Sequence, residues 1–298
     1  MPTFLHDEIH FHYRDTGSGV PFVFQHGLGA DVSQTFDLFT PPPGFRLLSF
    51  DCRAHGETRP VGDPEKISID TFADDLRALL DHLNIARTVV GGISMGAATA
   101  LTFALRHPGR TLGLVLSRPA WLDESRAAGM KIFPVIAQFI RQHGAWEGAQ
   151  RFQQTETFQE VRRVSPDNAA SLLGQFAHPR AAETAVKLER IPAHVPAHPR
   201  AAWRNITVPT LVLANRRDAI HPFEFGETFA REIPGAEFRE LTPKSVSKEQ
   251  HEAKTQQFIA DFLVRQTTLA LWKDSRPHPG GGPRALHDRR DALRYEEW

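Results

Sequence analysis

The chain has 298 residues, enough for one large domain or for one core carrying an insertion. Its 41% hydrophobic and 23% charged fractions are those of a globular protein with a sizeable core. Lys plus Arg equals Asp plus Glu at 35 each, so no global positive field gathers nucleic acid or an anionic membrane. The single cysteine, Cys52, excludes an internal disulfide and any metal site built on cysteines.

The N-terminal residues lack the apolar core of a signal peptide, and no apolar run is long enough to span a bilayer. A cytoplasmic location is therefore expected. Ile9, Phe11 and Tyr13 alternate with His10, His12 and Arg14, which predicts an edge hairpin strand closing at Gly17-Ser18-Gly19. His6, His10 and His12 are expected on a solvated strand face rather than around a metal, because no carboxylate or cysteine cluster accompanies them. Pro21 to Phe24 and Phe45 to Phe50 read as buried strands. Ser68 to Leu83 reads as an amphipathic helix, with Ile69, Phe72, Leu76, Leu79, Leu80 and Leu83 on one side. Strands follow at Arg87 to Ile93 and Leu112 to Leu116, separated by a helix that ends at Arg106 before His107-Pro108-Gly109.

The rhythm breaks at Pro119. From residue 119 to 205 the pattern is helical, with apolar stripes such as Ile132, Val135, Ile136, Phe139 and Ile140, and then Trp146, Phe152 and Phe158. This segment is expected to be a helical lid over the sheet. Val208 to Ala214 resumes the strands. Glu224 to Ile233 is a helix, Ala236 to Leu241 the last strand, and Ser247 to Leu263 the last core helix, with Ser247 and Gln250 placed as a capping box. The expected division is a core of residues 1–118 and 206–270, a lid of 119–205 and a flexible tail of 271–298 beyond a Gly/Pro linker. Strands alternating with helices imply an α/β fold. Its sheet is mostly parallel and doubly wound, with an antiparallel N-terminal hairpin at the edge.

The chemistry gathers at Val89-Val90-Gly91-Gly92-Ile93-Ser94-Met95-Gly96. Gly92, Ser94 and Gly96 fit G-x-S-x-G, the spacing of a sharp strand-to-helix turn that pushes a serine hydroxyl out at the sheet's end. Gly92 and Gly96 leave room for that turn. A helix starting at Met95 aims its N-terminal N–H groups at charge developing beside Ser94. Upstream, His26-Gly27 follows an early strand, where the backbone of Leu28 is placed to give a second oxyanion N–H and His26 to shape the loop.

Four stations stand in order: His26-Gly27, Asp51 to Thr58, Gly92 to Gly96, and Asp218 to Pro222. On these the chain resembles the α/β-hydrolase fold family over roughly residues 4 to 265. The resemblance implies a serine-nucleophile hydrolase acting on esters or related acyl compounds, with the acid and then the histidine following the serine. Two positions depart from the family's pattern: Asn215 in the acid turn and Gln250 before the last histidine both stand where glycine is usual.

The acid is expected at Asp218, directly after its strand, in preference to Asp123 at the lid entry. Chain order then favours His251 as base over the tail residues His278 and His287. His251 shares a helical stripe with Thr255, Phe258 and Phe262, a placement that also suits a satisfied core histidine. His221, on the Asp218 loop, stands next in line. The expected mechanism is acyl transfer to water: Ser94 attacks, His251 moves the proton, Asp218 orients it, and the N–H groups of Leu28 and Met95 hold the oxyanion. No metal or organic cofactor is expected. The substrate is expected to be a small, largely apolar ester or lactone, and the protein a monomer or homodimer. C–C bond hydrolysis or cofactor-free perhydrolysis on the same triad, and a binding protein without turnover, are the alternatives.

Overall fold

The computed structural model describes residues 2–123 and 128–268. The expected tail of 271–298 lies outside them. Eight strands form one sheet in the order β1-β2-β4-β3-β5-β6-β7-β8. They are β1 (Thr3–His6), β2 (Ile9–Gly17), β3 (Val20–Gln25), β4 (Phe45–Phe50), β5 (Thr88–Ile93), β6 (Thr111–Ser117), β7 (Thr210–Ala214) and β8 (Glu237–Glu240). β1 and β2 pair antiparallel, and so do β2 and β4; every other pair is parallel.

The central strands β5, β6 and β7 are buried at every residue, as expected of a parallel sheet covered on both faces. Their β-branched and leucine runs suit that position. α2 (Ile69–His82) and α3 (Met95–Arg106) pack on one face, and α1 (Val32–Leu38) with α10 (Lys248–Thr268) on the other. Ser68 caps α2 by accepting from the Thr71 N–H at 3.2 Å. Ser247 accepts from the Gln250 N–H at 3.1 Å, the first half of the predicted capping box.

Two details at the N-terminus differ from the sequence reading. The hairpin joins β1 to β2 through Asp7 and Glu8, both at positive φ (51° and 61°), as a two-residue primed turn requires. Gly17 to Gly19 instead carries the chain across β4 to β3. His12 is not on a solvated face. It is 4% exposed, and its Nδ1 lies 2.7 Å from Asp51 Oδ2. β2 passes from β1 to β4 just beyond His12, where Asp51 at the end of β4 covers the ring.

Between β6 and β7 the described residues hold helices α4 (Ile132–Phe152), α5 (Glu156–Val164), α6 (Pro166–Ala177), α7 (Ala181–Thr184) and α8 (Lys187–Ala193). This insertion grips the turn after β4. Arg180 Nη1 donates to the Gly56 and Thr58 carbonyls at 2.9 and 3.0 Å, and Lys187 Nζ to the Ala54 carbonyl at 2.9 Å. α9 (Phe223–Glu232) crosses between β7 and β8.

Candidate active site

β5 ends at Ile93 and α3 begins at Met95, so Ser94 alone makes the turn between them. It adopts φ 56° and ψ −110°, a conformation that costs a non-glycine residue about 1–3 kcal/mol. Its N–H is tied to the Ser117 carbonyl at 2.9 Å. The flanking glycines are sterically required. A Cβ on Gly92 would stand 2.2 Å from the Gly96 carbonyl carbon, and one on Gly96 would stand 2.3 Å from the Gln25 carbonyl oxygen. The backbone there has no room for a side chain.

Ser94 opens on a cavity of about 90 Å³ at the carboxyl ends of the parallel strands. Its core walls include Gly27, Leu28, Gln34, Ile93, Arg118, Ile220, His221 and Lys244. The insertion contributes Phe133, Asp167, Asn168, Ser171 and Leu172.

Asp218, 1% exposed in its side chain, is the most heavily bonded group at this site. Oδ1 lies 2.9 Å from His221 Nδ1 and accepts from Asn168 Nδ2 at 2.6 Å and from the His221 N–H at 3.0 Å. Oδ2 accepts from Arg118 Nε at 2.8 Å and Nη2 at 2.7 Å. Burial by itself would raise the carboxyl's pKa. The charge of Arg118 and the His221 contact outweigh burial and hold it well below the usual carboxylate range.

A carboxylate can only accept, so His221 Nδ1 carries the hydrogen in its contact with Asp218 and Nε2 keeps its lone pair. Arg118 Nη2 lies 3.2 Å from the same Nδ1. Both are donors in this tautomer, so that approach is not a hydrogen bond. Burial pushes the His221 pKa down, Arg118 adds to this, and Asp218 opposes it. Burial thus favours the neutral ring.

The sequence reading placed the base at His251, and the structure does not bring His251 to Asp218. His251 is 2% exposed and points inward from the first turn of α10. Its Nδ1 lies 2.8 Å from the Thr242 carbonyl. Burial lowers its pKa to about 4, and Arg118 adds to the shift. The helical stripe with Thr255 and Phe262 is real, and His251 sits on it with its Nδ1 at the Thr242 carbonyl.

Of the oxyanion candidates, Leu28 lines the cavity and Met95 directly follows Ser94. The Gly27 N–H is occupied by Gln34 Oε1 at 2.7 Å, whereas the Leu28 N–H meets no acceptor among the described residues. Met95 is the first residue of α3, so its N–H falls outside the helical ladder. His26 is fully buried and structural. Nδ1 lies 2.9 Å from the Gly27 carbonyl, and Nε2 accepts from the Cys52 N–H at 3.1 Å. That bond ties the His26-Gly27 loop to the strand end at Cys52.

The lid's apolar residues divide between the cavity and the insertion's own core. Phe152 packs against Phe139, Phe158 and Phe176, with ring centroids 5.3 to 5.9 Å apart, and Trp146 is 78% exposed. Those aromatic residues stabilise the insertion, while Phe133 and Leu172 line the cavity beside its polar side chains. Sequence reasoning missed Arg118, Asn168 and Lys244. The first sits at positive φ (49°) just past β6, beside the Pro119 that marked only a break in rhythm.

A family model described as the alpha/beta hydrolase fold matches residues 20–252. A 2-hydroxy-6-oxononadienedioate/2-hydroxy-6-oxononatrienedioate hydrolase from Paraburkholderia phymatum is 26% identical over 273 residues, covering 86% of this chain and 91% of its own. The AB hydrolase superfamily protein YisY of Bacillus subtilis is 26% identical over 241 residues, covering 75% and 84%. Among solved structures, the enol-lactonase of Burkholderia xenovorans LB400 superposes with a TM-score of 0.68 at 26% identity, covering 88% of this chain and all of its own. With the serine turn, the sheet order and this match in agreement, the chain belongs to the α/β-hydrolase fold family.

Proposed function

We propose that the protein hydrolyses an ester or lactone through Ser94, with His221 as general base and Asp218 as the orienting acid. The observation that carries this is the shared cavity: Ser94 at its strained turn lines the same walls as His221, whose Nδ1 is bonded to Asp218. In the first step His221 Nε2 takes the Ser94 proton while Oγ attacks the substrate carbonyl. Asp218 fixes the tautomer and stabilises the imidazolium. The N–H groups of Leu28 and Met95 receive the oxyanion, each worth on the order of 100-fold in rate. His221 then protonates the leaving alcohol, and water releases the acyl group by the reverse sequence.

Residues 119–205 act as a lid in this reading. Asn168 bonds Asp218, and Ser165 Oγ donates to the Arg217 carbonyl at 2.5 Å, so the insertion and the acid loop are bonded to each other. The ester or lactone class draws support from the resemblance to the enol-lactonase. A second reading, cleavage of a carbon–carbon bond in a β-diketone-like substrate on the same residues, draws support from the oxo-acid hydrolase among the relatives.

A fluorophosphonate probe tests the proposal. Labelling at Ser94 in the native protein and none in Ser94→Ala is expected. A native protein that does not label, or a Ser94→Ala variant that labels equally, contradicts it.

A further inference from the structure

Lys244 follows β8, on the loop leading to α10, and lines the cavity that holds Ser94. No hydrogen bond or ion pair among the described residues reaches its Nζ. Glu252 and Asp167 are the acidic groups whose charge acts on it, and neither pairs with it among the described residues. Glu252 pairs with Lys248 at 3.7 Å. Asp167 lies in the first turn of α6, where the helix dipole favours its charge, and it lines the same cavity. Arg118 faces the same space, but its Nε and Nη2 are committed to Asp218 and Asn168, and only Nη1 has no acceptor among the described residues. Lys244 is half-buried, and a cation partly withdrawn from water with no fixed acceptor gains from a ligand that supplies one. Burial, with Arg118 beside it, pushes the Lys244 pKa down.

We propose that Lys244 is a specificity residue that receives a carboxylate on the substrate, so that the preferred substrate is a short acidic acyl compound. The inference rests on the cavity being the substrate site. The volume agrees with it: about 90 Å³ holds a few waters or a chain of a few heavy atoms, between apolar walls such as Leu28, Phe133 and Ile220 and the charged end at Lys244. Ser94 and Lys244 line one cavity, so an acyl chain with its carbonyl at Ser94 would direct a far carboxylate toward the ammonium. A lysine here acts as a point charge on a flexible stem, so it selects for negative charge more than for shape.

Calorimetry on the Ser94→Ala variant separates this inference from the catalytic proposal, because binding then needs no nucleophile. The probes are glutarate and its neutral analogue glutaramide. Glutarate is expected to bind at least tenfold more tightly. Adding Lys244→Gln is expected to abolish that preference, and adding Lys244→Arg to keep most of it. Circular dichroism checks that each variant is folded, with Lys244→Met as a second neutral replacement. Equal binding of the two probes, no binding of either, or a preference that survives both Lys244→Gln and Lys244→Met overturns the proposal. Whether the native enzyme turns over ethyl esters is read separately and bears on Ser94 and His221 alone.

Discussion

Lys187 offers a quantitative test of the packing between the insertion and the core. The side chain is 4% exposed on α8, and its ammonium donates to the Ala54 carbonyl and, at 3.1 Å, to Thr184 Oγ1. No carboxylate pairs with it among the described residues. Burial, reinforced by the positive Arg180, lowers its pKa from 10.5 to about 7. A base whose folded-state pKa is depressed binds fewer protons in the native state than in the unfolded state between those two values. Stability therefore rises with pH across that window, by up to about 1.4 kcal/mol per pH unit. From pH 7 to pH 9 the gain from this one group is about 2 kcal/mol. Lys187→Met keeps the bulk, removes the titration and leaves the Ala54 carbonyl without its donor, a loss of about 1–3 kcal/mol. Urea unfolding of both proteins from pH 7 to pH 9 isolates the effect, because all other titrations cancel. The native protein is expected to gain about 2 kcal/mol relative to the variant over that range. Parallel stability curves refute the reasoning, since they mean the ammonium is as well solvated in the native state as in the unfolded one.

Gly96→Ala is expected to destabilise by about 3 kcal/mol or more, because the new Cβ meets a backbone carbonyl at 2.3 Å that cannot yield locally; chemical denaturation measures it, and a loss under 1 kcal/mol counts against the tight turn. Asp218→Asn is expected to cut kcat by several orders of magnitude, because the amide admits the wrong His221 tautomer and removes the carboxylate that Arg118 neutralises. His251→Leu is expected to flatten the acid limb of stability. The native histidine stays neutral down to about pH 4, so its contribution is present above pH 6.5 and is lost, by up to about 3 kcal/mol, as pH falls toward 4. Thermal melts from pH 7 to pH 4 read this directly.

Much of the fold was legible because period and punctuation agreed along the chain. Phe45 to Phe50 is a strand at those residues, and Ser68 caps the helix its spacing predicted. α1 was missed, since its seven residues carry only a short apolar pattern after the Asp31 cap. At the site, Ser94 and its glycines were legible because a backbone constraint writes itself into local sequence. The partner of Asp218 was not. Chain order pointed to a histidine after the last strand, but a loop's path decides which ring reaches the acid. The path after β8 turns His251 toward the Thr242 carbonyl, while the short Asp218–His221 turn closes on itself. Pairings across a hundred residues, such as Arg118 with Asp218, leave no periodic trace at all.

The central claim is that His221, not His251, serves Ser94. The most direct measurement is kcat/KM for His221→Asn and His251→Asn side by side, on one ester at one pH where the native ring is neutral. His221→Asn is expected to lose on the order of 1,000-fold or more, and His251→Asn less than about tenfold. A mild His221→Asn beside a severe His251→Asn, in folded proteins, contradicts the account and returns the base to the helix after the last strand.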